Sequence, residues 1–222
     1  MPASAEPAAK VTREVKTSDH SYTLPLELKI DGKTFTCEDV LGDGLFGVAY
    51  KAKAPDGSFV CLKQAFTKEN QEADKFGKKH KFLKKAEEAH AELAIEAKLQ
   101  RKLHEEAAKV PGGARVPAVV AYEGDAMAIE LLEGAIEFQK WLREPPMKHD
   151  TADAASMSEK VKTVSWIVAK KVCKLLIAID ELKFQHRDLQ DNNCMIKILR
   201  EPVTKCEDVE VFLIDWQGDV HG

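Results

Sequence analysis

The run HRDLQDNN, from His186 to Asn193, decides how this chain is read. It sets one carboxylate, Asp188, five positions ahead of an amide, Asn193. A second carboxylate, Asp215, follows in LIDWQGD after a stretch rich in β-forming residues. This spacing suits a phosphoryl-transfer site. One carboxylate orients a hydroxyl, while an amide and a second carboxylate hold a divalent cation at phosphate. Alone, such a run can arise by chance. Two features upstream answer to the same chemistry.

The first is LGDGLFGVAYKA, Leu41 to Ala52, with Gly42, Gly44 and Gly47 in a segment whose flanks read as strand. Glycine lets backbone N–H groups come close to phosphate oxygens. Phe46 is placed to cap the tip of this turn. The second is VCLK, in which Lys63 ends an apolar run after an Asp56-Gly57 turn. Val60 and Leu62 suit a strand, and that strand carries the lysine toward phosphates.

Glycine turn, lysine, long helix, HRD segment and second aspartate follow one another in the order found in the protein-kinase-like superfamily, which the chain resembles from about Leu26 onward. The resemblance implies an α+β, bilobal protein-kinase-like fold. Its N-lobe is an antiparallel β-sheet with one long helix (helix C), and its C-lobe is helical and reduced. Residues 1–21 are expected to be a flexible tail, 22–132 the N-lobe and 133–222 the C-lobe. The implied activity is Mg-ATP-dependent phosphotransfer, with a protein serine or threonine as the favoured acceptor. Asp188 would orient the acceptor hydroxyl. Lys63 would contact the α- and β-phosphates and pair with Glu96 on the long helix, with Glu92 as the fallback. Leu41, Gly42, Gly44, Gly47, Ala49 and Cys61 would surround ATP. Ile129 would be the gatekeeper, and the backbone of Glu130 and Leu132 would bond adenine. Asn193 and Asp215 would ligate Mg²⁺. His186 is expected to brace the loop.

The chain also departs from that family. Gln190 stands where protein Ser/Thr kinases carry a lysine, and Asp215-Trp216-Gln217 replaces the usual Asp-Phe-Gly. Cys61 takes the place of a small alanine and Ala49 that of a valine. The sequence runs only from 216 to 222 beyond Asp215. That leads to the expectation of a minimal C-lobe whose uncovered surface a protein partner would cover. Gln190, Gln217 and the short C-lobe also fit a regulatory module that binds nucleotide or a partner without transfer. Asp-Trp followed by a polar residue brings in small-molecule kinases of the aminoglycoside or choline type, although their acidic substrate helices are missing here.

Periodicity supplies the elements. Leu26–Ile30 alternates and ends at Asp31-Gly32, a hairpin signal. Strands are expected over 33–41, 48–54, 58–64, 116–122, 126–132, 194–199 and 209–214. A long helix is expected over 82–108, with Phe82, Ala86, Ala89, Leu93, Leu99 and Leu103 on one stripe. Glu96 falls on that stripe, where it either meets a cation or reaches solvent at the edge. A short helix over 137–143 stops at Pro145-Pro146, and 148–158 reads as a loop. A second helix over 161–182 carries Val161, Val164, Val168, Val172, Leu175, Ile179 and Leu182 on one face. Lys205, Glu207 and Asp208 suggest an exposed loop between the last two strands. The lysines among residues 75–85 read as a solvated face.

Composition narrows the class. A net charge of −4 argues against nucleic acid as the partner. Five cysteines without CxxC spacing point to reduced thiols and a cytoplasmic setting. No apolar run approaches the roughly 20 residues of a membrane span.

Overall fold

Tight turns and alternating burial build the N-terminal part of the chain. A computed structural model describes residues 12–17, 20–44, 46–71, 83–143, 154–181 and 183–216. The chain divides into two units. One holds residues up to Leu93 together with Val120–Leu131; the other holds Ala94–Val119 and Leu132 onward. Residues 94–119, expected in the N-lobe, therefore group with the C-terminal unit, and the division falls within the long helix.

In the first unit, β1 (Arg13–Lys16) pairs antiparallel with β2 (Ser21–Leu24). This strand lies inside the segment 1–21 that was expected to be a tail. Its apolar contacts explain the difference, since Val15 and Tyr22 pack against the core. Then come β3 (Leu26–Ile30), β4 (Lys33–Asp43), β5 (Gly47–Lys53) and β6 (Phe59–Ala65). The Asp31-Gly32 turn has φ of 53° and 68°. Two left-handed residues are what a two-residue hairpin turn requires. After α1 (Ala86–Ala107), β7 (Val119–Glu123) and β8 (Ala126–Glu130) complete a six-stranded sheet in the order β3-β4-β5-β6-β8-β7. One face of this sheet buries Phe35, Val48, Tyr50, Val60, Leu62 and Ala128.

The second unit begins within α1, whose Leu99, Leu103 and Ala107 join its core. β9 (Ile136–Glu137) leads into α2 (Phe138–Arg143). α3 spans Ala154–Asp180, so it starts inside the segment expected to be a loop. Its buried face carries Val164, Val168, Val172, Leu175 and Ile179 of the predicted stripe, with Ile167 added, and Val161 is half-buried. Its outer face exposes Trp166 and Ile177. β10 (Cys194–Ile198) and β11 (Val209–Leu213) form a three-stranded sheet with β9.

In the β10–β11 connection Lys205 and Glu207 are exposed, as expected, whereas Asp208 is not. The connection contains a 3₁₀ turn, Cys206–Asp208, and Asp208 is buried. The Asp208 carboxylate accepts bonds from the N–H groups of Thr204 and Lys205, both at 3.0 Å, and from the Thr204 hydroxyl. Those three donors explain how a charged side chain can be buried here. Phe82, Leu182, Gln217, Pro145-Pro146 and lysines 75, 78, 79 and 81 lie outside the described residues. No described helix is long and apolar enough to cross a membrane.

Candidate functional site

In the first unit, strand register gathers the residues expected around the nucleotide. Gly42 lies opposite Ala49, Ala49 opposite Lys63, Lys63 opposite Met127, and Cys61 opposite Ile129. Cross-strand partners share a face and successive residues alternate between faces. These residues therefore lie on the face opposite the one that buries Val48, Tyr50, Val60 and Leu62. Lys63 is half-buried, while Met127 and Ile129 are buried. Leu41 and Phe46 are exposed at the turn. The turn closes with the Gly44 N–H donating to Gly47 O at 2.9 Å, and the Phe66 N–H donating to Phe46 O. Gly47 is required by packing: a Cβ there would stand 2.6 Å from the Gln64 carbonyl oxygen. Among the described residues, a Cβ at Gly42 or Gly44 would meet nothing within 4 Å.

On α1 the buried stripe comprises Ala89, Leu93, Ala97, Leu99, Gln100, Leu103 and Ala107. Glu96 is half-buried at the margin of this stripe. Glu92, the fallback partner for Lys63, is exposed and ion-pairs with Lys84. The backbone expected to bond adenine lies at the end of β8 and just beyond it. Val60 pairs with Glu130, and Leu132 O accepts a bond from the Ala135 N–H at 3.0 Å.

In the second unit, the HRD segment follows α3 directly. His186 is buried, and its Nε2 donates to Ile214 O at 3.0 Å. Its ring packs on Trp216 with centroids 4.3 Å apart, and Trp216 Nε1 donates to Leu213 O. Burial holds the His186 imidazole below its ordinary pKa, against the opposing pull of the Ile214 carbonyl and the Asp188 and Asp215 carboxylates. Its Nδ1 has no hydrogen-bond partner among the described residues, as suits a neutral ring with the proton on Nε2.

Asp188 is fixed from two sides. Asn193 Nδ2 donates to Asp188 Oδ2 at 2.8 Å and to Asp188 O at 3.0 Å. Gln190 Nε2 donates to Asp188 Oδ1 at 2.9 Å. A 3₁₀ turn over Asp191–Asn193 brings the amide back, closed by the Asn193 N–H on Gln190 O. The Ile214 N–H then donates to Asn193 O at 3.0 Å, which sets Asp215 one residue beyond this junction. Arg187 and Asp215 adopt left-handed backbone, with φ of 62° and 58°. Such conformations are uncommon for residues with a Cβ and gather at functional sites.

No family model and no curated protein matches this chain.

Among the described residues no three His, Cys, Asp or Glu side chains form a metal-binding group. Asn193 and Asp215 instead offer two oxygen-bearing side chains, of the kind a hard cation shares with water and phosphate. The Asn193 nitrogen is spent on Asp188, so its oxygen is the end suited to a cation. Cys37 and Cys194 are buried thiols pushed up to about 12 by desolvation, with Asp191 adding to the effect on Cys194. They are chemically quiet at neutral pH.

Sequence reading missed four polar or soft groups. Met127 was visible only as part of an apolar run. Gln100 is buried and donates to Pro117 O, and the His104 ring Nδ1 meets Val116 O at 2.7 Å. The fourth is Asp43, two of whose three partners, Thr17 and His20, come from the segment read as a tail.

Proposed function

We propose that this protein is an Mg-ATP-dependent phosphotransferase of protein-kinase-like architecture, with a protein serine or threonine as acceptor. The observation that carries the reading is the Asp188–Asn193 pair. One amide fixes the carboxylate through both its side chain and its backbone, and the same asparagine joins by backbone to the strand leading to Asp215.

Phosphoryl transfer needs alignment and charge neutralisation more than covalent help. Asp188 is held in one orientation by two amide donors, one on each oxygen. Each carboxylate oxygen retains a lone pair, enough to accept the proton of an incoming hydroxyl. Bound Mg²⁺ would neutralise phosphate charge, and Asn193 and Asp215 are the residues that would hold it. Lys63 supplies a cation on the same sheet face as Ala49, Cys61 and Ile129. Neither packing nor φ accounts for glycine at positions 42 and 44. A missing Cβ at these positions suits close approach by a ligand. Thiols without disulfides fit a cytoplasmic setting.

The test is intact-mass measurement after incubation with Mg-[γ-³²P]ATP and generic protein acceptors. The unaltered protein is expected to transfer phosphate. Asp188→Ala is expected to abolish transfer while leaving ATP affinity nearly unchanged. An Asp188→Ala protein that transfers at the original rate defeats the assignment.

One observation favours a second reading, in which the chain binds nucleotide or a partner and transfers nothing. Gln190 offers an amide to Asp188 where protein kinases present a lysine. Stabilisation by Mg-ATP with no transfer, including to itself, selects that reading.

A further inference from the structure

The glycine turn contains an electrostatic conflict. Asp43 sits between Gly42 and Gly44, and a carboxylate there would repel any phosphate that the turn received. Strand register removes the conflict. Asp43 lies opposite Val48, a core residue, whereas Gly42 lies opposite Ala49 on the Lys63 face. The irregularity between Val40 and Gly42 produces this switch of face. The Asp43 side chain therefore belongs to the back of the sheet, where it is only 6% exposed.

A buried carboxylate needs donors, and the β1–β2 hairpin provides them. The Asp43 Oδ2 atom is met by the Thr17 hydroxyl at 2.6 Å, His20 Nδ1 at 2.8 Å and the Tyr22 hydroxyl at 3.0 Å. Thr17 Oγ1 also accepts the His20 N–H. The aromatic rings are themselves fixed: His20 packs edge-on against Phe66 at 5.2 Å and Tyr22 against Tyr50 at 5.8 Å. Phe66 in turn bonds through its backbone to Phe46 at the tip of the turn. Burial raises the pKa of the Asp43 carboxyl, but the bonds from Thr17, His20 and Tyr22 outweigh it, and the net shift is downward.

We propose that Thr17, His20 and Tyr22 are positioning residues for the glycine turn, acting through Asp43. They hold its carboxylate on the back of the sheet and leave the opposite face to Gly42, Ala49 and Lys63. The anchor itself stands on unit geometry alone. Its consequence for nucleotide binding rests on the phosphotransferase reading.

The experiment compares the unaltered chain with a Thr17→Val/Tyr22→Phe double variant, which removes two donors with little change of shape. Asp43→Asn, which keeps the size and one acceptor oxygen, is the second variant. Ser21→Ala is the control, because it breaks an exposed bond to Glu14 in the same hairpin without touching Asp43. Amide hydrogen exchange at Gly44 and Phe66, whose N–H groups close the turn, reports it directly, and calorimetry with Mg-ATP reports binding. In the double variant exchange should accelerate about 10-fold and Mg-ATP affinity should fall about 5- to 10-fold. Asp43→Asn should move both in the same direction by less, and Ser21→Ala should move neither. Unchanged exchange in both Asp43-directed variants overturns the anchor. Faster exchange with unchanged Mg-ATP affinity overturns the positioning role. An unaltered protein that binds no Mg-ATP counts against the phosphotransferase reading, and the exchange measurement still decides the anchor.

Discussion

Asn193→Ala is the most direct probe of the HRD segment, because one nitrogen makes two bonds that the substitution removes together. Asn193 is 4% exposed. Its bond to the Asp188 carbonyl oxygen, at 3.0 Å, is a neutral one, worth about 1 kcal/mol. Its bond to the Asp188 carboxylate, at 2.8 Å, is charge-assisted, worth about 1.5–3 kcal/mol. Asp188 is only half-buried, so water replaces part of the second bond. The expected loss of stability is therefore about 2–3 kcal/mol. For a chain of this length that corresponds to a fall in Tm of roughly 5–10 °C. Urea denaturation followed by tryptophan fluorescence measures it, since Trp216 packs on His186 beside this segment. The midpoint should fall with the slope unchanged. Asn193→Asp sharpens the test. It keeps the shape but sets a carboxylate against a carboxylate, so its damage should be larger at pH 7 than at pH 5, where the pair can share a proton. A loss below about 0.5 kcal/mol for Asn193→Ala, the range of ordinary surface substitutions, would refute the claim that this asparagine fixes the loop.

Two further outcomes follow from the same segment. His186 has a folded-state pKa below its unfolded value, so below about pH 6.5 the unfolded chain binds more protons and stability falls. The loss is at most about 1.4 kcal/mol per pH unit and stops once pH passes the folded pKa. Urea midpoints at pH 7.5 and pH 5.5 should show it, His186→Gln should flatten the difference, and an equal pH dependence in both proteins would exclude His186 as its source. Gln190→Lys would exchange an amide on Asp188 for an ammonium that can also reach phosphate. It is expected to raise the rate of γ-phosphate transfer several-fold with little change in ATP KM; a slower variant would show that the amide is the better group in this site.

The sheet was legible in the sequence because its signals are local. Asp31-Gly32 can adopt two positive φ angles, and the residues around it alternate, so the β3–β4 hairpin follows from a few neighbours. The stripe of α3 was legible for the same reason, since Val164, Val168, Val172, Leu175 and Ile179 recur at helical spacing. The start of α3 was not, because the polar residues before Val161 carry no period. Asp208 was read as exposed because charge is the only local signal it gives, while its burial depends on backbone donors that a 3₁₀ turn presents.

The sequence by itself determined the order and spacing of Asp188, Asn193 and Asp215, because a short turn and two β-rich runs between them are local signals. Only tertiary structure decided what Asp43 does. Its neighbours in sequence are glycines that suggest phosphate, and its partners come from a hairpin more than 20 residues earlier. Hydrogen bonds between distant segments leave no periodic trace, so a carboxylate's neighbours in space cannot be read from its neighbours in the chain.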